Sequence, residues 1–197
     1  MSSPFERVSD ELSIGVRGLS RRGQVALFAS AARALRKGYV DWACDAGITP
    51  QVDLLDQAIA HAFDFALGVA GAIDPHLLEA VESAVPDEPS DESLFTVAQD
   101  CWIVADTALR VGLGMYDAGS GCWYLVESLF QETSERLFGT PDPGSETQET
   151  DEAVALNDPA LALALTDLFH AIKSLAVGEP NDVALARLQS LLSVLLP

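Results

Sequence analysis

Residues 20–46 read SRRGQVALFASAARALRKGYVDWACDA, and this stretch decides the fold class. Val25, Phe28, Ala32, Leu35, Tyr39, Trp42 and Ala46 recur at spacings of three and four. That period places them on one apolar stripe of an amphipathic helix over about Ser20–Ala46. Arg33, Lys37, Asp41 and Asp45 form a second row at spacing four. On that row Lys37 meets Asp41, an exposed pair worth about 0.3–0.5 kcal/mol.

The same period extends in both directions. Phe5, Val8, Leu12, Val16 and Leu19 give an amphipathic segment over 4–19 whose apolar face packs onto the rest of the chain. Downstream, a helix over about 50–70 carries Leu54, Leu55, Ala58, Ile59, Ala62, Phe63, Ala66 and Leu67. A short helix follows Pro75 and ends before Pro86. A strongly apolar one covers 92–112, and further helices cover about 120–138, 159–177 and 182–196. Proline and glycine punctuate them. Ser3-Pro4, Thr49-Pro50, Asp74-Pro75 and Asp158-Pro159 each place a capping side chain ahead of a proline suited to the first helical turn. Gly47, Gly71, Gly114 and Gly139 follow helical runs as stops. Strand-like alternation is missing. The expectation is an all-α, compact helical bundle of about seven to eight helices. Its body spans 1–138. The stretch 139–157, with five acids and no basic residue, reads as a flexible acidic loop, and 158–197 reads as a helical pair that packs on the body or on a second copy.

Charge narrows the function classes. The 197 residues carry 30 acids against 11 basic residues, a formal charge of −19. Seven of the basic residues and three acids lie in 1–37, a local +4, which leaves −23 over 38–197. A nucleic-acid binder needs a basic footprint to neutralise phosphates, and this surface repels them. A disordered acidic tail is poor in apolar residues, whereas 49 % of this chain is apolar. The opening MSSPFERVSD lacks the basic and apolar regions of a signal peptide, and no uncharged run approaches the roughly 20 residues that span a bilayer. Cys44, Cys101 and Cys122 are odd in number and show no CxxC spacing, which fits a reducing, cytoplasmic setting.

Two blocks resemble a known family. The segment VALFASAARALRKGYVDWACDAG (25–47) matches at Val25, Ala29, Tyr39, Trp42 and Gly47. The segment LLEAVESAVPDEPSDESLFTVAQD (77–100) follows the pattern L-E-x-x-E-x-A-[IV]-P…A-x-D at Leu78, Glu79, Glu82, Ala84, Val85, Pro86, Ala98 and Asp100. In order and spacing these blocks resemble the YjaG-like family of small helical bacterial proteins, over about residues 20–135. The family's Glu-Arg pair is Arg33-Ala34 here, and its usual proline before the Tyr is Lys37. The acidic insert and the C-terminal helices have no counterpart. The resemblance implies an all-α fold and supplies no reaction.

Candidate chemistry is sparse. Glu79 and Glu82 stand at i, i+3 and, with Asp100, offer the carboxylates for a Mg²⁺ or Mn²⁺ site, the basis of a metal-dependent enzyme as one alternative. His61, His76 and His170 show no zinc-type spacing. Cys101 and Cys122 sit beside Trp102 and Trp123 in apolar settings that raise a thiol's pKa. The Gly112, Gly114, Gly119 and Gly121 loop lacks the lysine of a phosphate loop. The reading that remains is a non-enzymatic, cofactor-free interaction protein whose acids bind a basic protein partner, in concrete form an immunity protein or antitoxin facing a cationic toxin. Its contact residues are the loop acids Asp87, Glu88, Asp91, Glu92, Glu146, Glu149, Asp151 and Glu152. A homodimeric structural or accessory protein, with the LLSVLLP terminus as its interface, is the other alternative.

Overall fold

The computed structural model describes residues 4–85, 93–126, 154, 157–176, 178 and 180–195. Among the described residues there are eight helices and no strand, an all-α bundle. They are α1 (Pro4–Arg17), α2 (Arg21–Asp45), α3 (Val52–Ala66), α4 (Pro75–Glu82), α5 (Ser93–Leu113), α6 (118–126), α7 (Pro159–Ala176) and α8 (Asp182–Leu195).

The centre of the bundle is α2. Ser20 caps it by accepting from the Gly23 amide at 3.1 Å. Thirteen of its residues are buried, including every one from Val25 to Ala32. An apolar stripe alone buries one side of a helix, whereas an unbroken buried run of eight covers more than two turns all round. The residues between the large stripe positions make this possible. Ala26, Ala29, Ser30 and Ala31 are small enough for neighbours to approach from the remaining sides, and the Ser30 hydroxyl is satisfied by donating to the Ala26 carbonyl at 2.7 Å. Helix α5 makes the most extensive contact with α2, and α3, α7 and α8 also pack on it. Ala46, although in phase with the stripe, is exposed because the helix has ended and it serves as the C-cap.

Around this axis the other elements fall into place. Trp102 of α5 is fully buried, with its ring edge-on to Tyr39 at 5.5 Å, and the Cys101 thiol donates to the Ala32 carbonyl at 3.4 Å. Leu185, Leu188 and Leu192 are buried on α8, which lies against α2 and α7. Phe5, Leu12, Val16 and Leu19 are buried as well, so the N-terminal segment spends its apolar face inside the bundle. Ser13 of α1 donates to the Gly119 carbonyl of α6 at 2.7 Å, and Phe5 meets Trp123 edge-on at 4.3 Å. No described helix is long and apolar enough to cross a membrane.

The helix ends refine the sequence reading. Asp74 caps α4 through the His76 amide at 3.0 Å, with Pro75 in the first turn, and Asp158 caps α7 through the Leu161 amide at 3.0 Å. Thr49-Pro50 does not start α3. The N-cap is Gln51, which makes no side-chain cap bond; its amide donates instead to the Tyr39 hydroxyl at 2.7 Å, so a tertiary contact replaces the local cap. Helix α3 stops at Gly68, φ +76°, ahead of the expected Gly71, because only a residue without Cβ turns there without strain. Ser3 and Gly139 lie outside the described residues.

Packing is close at Gly121, where an added Cβ would stand 2.6 Å from Thr107 Cγ2 and 3.0 Å from the Phe28 ring. We predict that Gly121→Val lowers stability by about 1–3 kcal/mol in urea unfolding, the cost of overpacking a dense interior, and that Phe28→Leu in that background recovers part of the loss. An unchanged urea midpoint for Gly121→Val would refute the packing.

Candidate functional site: a cationic groove between α2 and α3

The acids expected to carry partner contacts, Asp87, Glu88, Asp91, Glu92, Glu146, Glu149, Asp151 and Glu152, all lie outside the described residues. The alternative carboxylates are described, and each has its own surroundings. Glu79 faces His76 Nδ1 at 3.5 Å. Glu82 accepts from the Arg110 guanidinium, which tethers α4 to α5 and also binds Asp106 at 2.6 Å. Asp100 is buried in α5. Among the described residues no group of three or more His, Cys, Asp or Glu side chains is arranged to hold a metal ion.

Two of the three thiols and the His61 imidazole are similarly absorbed. Cys101 and Cys122 are buried, and loss of water pushes both thiols up, Cys122 to about 12. Each keeps its proton at neutral pH. Cys44 is exposed. His61 Nε2 accepts from the Asp74 amide at 3.0 Å, a structural role between α3 and the start of α4.

What the fold assembles is a groove of about 540 Å³ between α2 and α3. Arg33, Arg36 and Lys37 line it from α2, at the i, i+3, i+4 spacing that puts them on one face. Asp56, Ile59, Ala60 and Phe63 line it from α3. Arg36 grips Asp56 with two parallel bonds, Nε to Oδ1 at 2.5 Å and Nη2 to Oδ2 at 2.8 Å, the fork geometry that fixes a guanidinium in place. Lys37 donates to Asp41 at 2.7 Å, along the row the sequence predicts. The Arg33 guanidinium carbon lies 6.0 Å from the centre of the Phe63 ring, at the edge of cation–π range. The hydrogen bond from Arg36 holds the Asp56 carboxyl below its ordinary range, with Arg33 adding to the effect, and that bond also raises Arg36.

The sequence shows the basic row on α2 and the excess of cations in 1–37, yet not the groove. Its far wall is contributed by α3, and no local signal says that Asp56 and Phe63 face Arg36 and Arg33.

Since Asp56 is depressed in the folded chain, its pair with Arg36 contributes stability above the unfolded carboxylate value of about 3.9, and the contribution is lost as pH falls below that value through the lowered folded one. Both side chains are partly solvated, so the expected magnitude is about 0.5–1 kcal/mol. We predict that Asp56→Asn is less stable than the parent by that amount at pH 7, and that the two converge as the acid limb of a urea-denaturation pH series is descended. A difference that persists unchanged at low pH would contradict the ion pair.

No protein-family model, curated protein or solved structure matches this chain.

Proposed function

We propose that this chain is a non-enzymatic, acidic interaction protein that binds a basic protein partner, with an immunity protein or antitoxin that masks a cationic toxin as its concrete form. The observation that carries the reading is the distribution of ion pairs. Arg17, Arg36, Lys37 and Arg110 are each paired with carboxylates of the chain itself: Asp117, Asp56, Asp41, and Asp106 with Glu82. Glu11, Asp45, Asp53, Asp64, Asp167 and Asp182 remain exposed with no salt bridge among the described residues. With −23 concentrated over 38–197, such a surface attracts and orients a cationic partner, and gives association that is fast and sensitive to salt.

Membership of the YjaG-like family and a cytoplasmic setting belong to the same proposal. Of the family positions, Val25, Ala29, Tyr39, Trp42, Leu78, Ala98 and Asp100 are buried, whereas Gly47, Glu79 and Glu82 are exposed. The odd set of three cysteines supports the reducing compartment.

The test is capture by the immobilised chain from its source organism at about 50 mM and about 500 mM salt, where the screening length falls from over 10 Å to a few ångström. The expected result is a basic protein held at low salt, released at high salt, and bound at least about tenfold more weakly when Glu146, Glu149, Asp151 and Glu152 are changed together to Lys. Absence of any partner at low salt, or a partner indifferent to that charge reversal, would overturn the reading.

A further inference from the structure

We propose that the groove between α2 and α3 binds a small organic anion, a carboxylate or phosphate monoester joined to an apolar body. This goes beyond the protein-binding reading and does not depend on it.

Three features of the groove converge on that class. The first is the pattern of unused donors. Arg36 commits Nε and Nη2 to Asp56 and keeps Nη1, while Lys37 commits one ammonium hydrogen to Asp41 and keeps two. Arg33 is exposed and makes no salt bridge among the described residues, so its guanidinium is open to an incoming oxyanion. The bonds to Asp56 and Asp41 hold two of the three cations in place before any ligand arrives, which lowers the ordering cost of binding. The second is the floor. Ile59, Ala60 and Phe63 are apolar, and Phe63 lies beside Arg33, so an apolar body can be covered while its charged end meets the cations. The third is size. A groove of about 540 Å³ falls within the range of about 300–1,000 Å³ typical of small-molecule sites.

The charge of the whole chain selects against larger anions. Three of the 11 basic residues line this one groove, against a single lining acid, in a chain of −19. A polyanion extending past the groove meets the surrounding acids. A small one sits within about one screening length, roughly 8–10 Å at ordinary salt, and feels chiefly the local cations. A bare inorganic anion leaves the apolar floor unused.

The experiment is a titration of the isotopically labelled full chain with benzoate and with phenyl phosphate, followed by NMR of the arginine Nε–Hε groups and the amides of α2 and α3. Benzamidinium (the same ring with positive charge) and inorganic phosphate (the charge without a body) serve as comparison probes. The expected result is saturable shifts at Arg33, Arg36 and Phe63 with at least one of the two organic anions below about 10 mM. Arg33→Gln should weaken that binding about tenfold or more. Arg7→Gln, which removes the same charge from the exposed face of α1, should leave it unchanged. Amide spectra away from the groove report that both variants keep the fold. Four outcomes would each overturn the proposal: no shifts with either anion, equal affinity for inorganic phosphate, equal affinity for benzamidinium, or equal weakening by Arg33→Gln and Arg7→Gln.

Discussion

The structure depends on enclosing one helix from all sides. From Val25 to Ala32 every residue of α2 is buried, and α5, α3, α8 and α7 pack against the helix. Large residues such as Phe28 and Leu35 supply the apolar area, at roughly 1.5–3 kcal/mol for each side chain fully buried. Alanines and Ser30 supply closeness. Close approach then demands small residues on the other side, which is where Gly121 of α6 meets Phe28 and Thr107. Helices α3, α5 and α8 pack chiefly on this one axis, α7 packs mainly on α8, and α1 closes the bundle against α6 and α7.

Charge follows from the packing. With the apolar surface inside, the few cations act as stitches between neighbouring elements: Arg17 to Asp117 beside α6, Arg36 to Asp56 between α2 and α3, and Arg110 to Glu82 between α5 and α4. Arg17 holds Asp117 down to about 2, through its hydrogen bond above all. Each stitch neutralises one or two acids and leaves the remainder of a −19 chain outward. The same economy makes the α2–α3 groove distinctive, since it is where cations gather faster than the chain's own carboxylates consume them.

Much of the fold was legible because it is written locally. The three-and-four spacing of α2, the Asp74-Pro75 start of α4 and the Asp158 cap of α7 all involve residues within one turn of each other. Readings failed where a distant residue intervened. Tyr39 takes the amide that a Thr49 cap was expected to serve, and full enclosure of α2 cannot be inferred from a stripe, because burial of the opposite face depends on which helices arrive there. The groove failed to appear for the same reason: Arg33, Arg36 and Lys37 are adjacent in sequence, whereas Asp56 and Phe63 become their neighbours only when α3 docks. The loop acids assigned to partner contacts lie outside the described residues, so the geometry bears on the groove and leaves them as a matter for binding experiments.

The most direct test of this account is native-state hydrogen exchange at the α2 amides from Val25 to Ala32. If α2 is the axis on which α3, α5 and α8 pack, these amides open only when the whole bundle unfolds. Their exchange free energies should equal the global unfolding free energy from urea denaturation and fall with urea at the same slope. Exchange of these amides through a smaller opening, insensitive to urea while α5 stays protected, would contradict it.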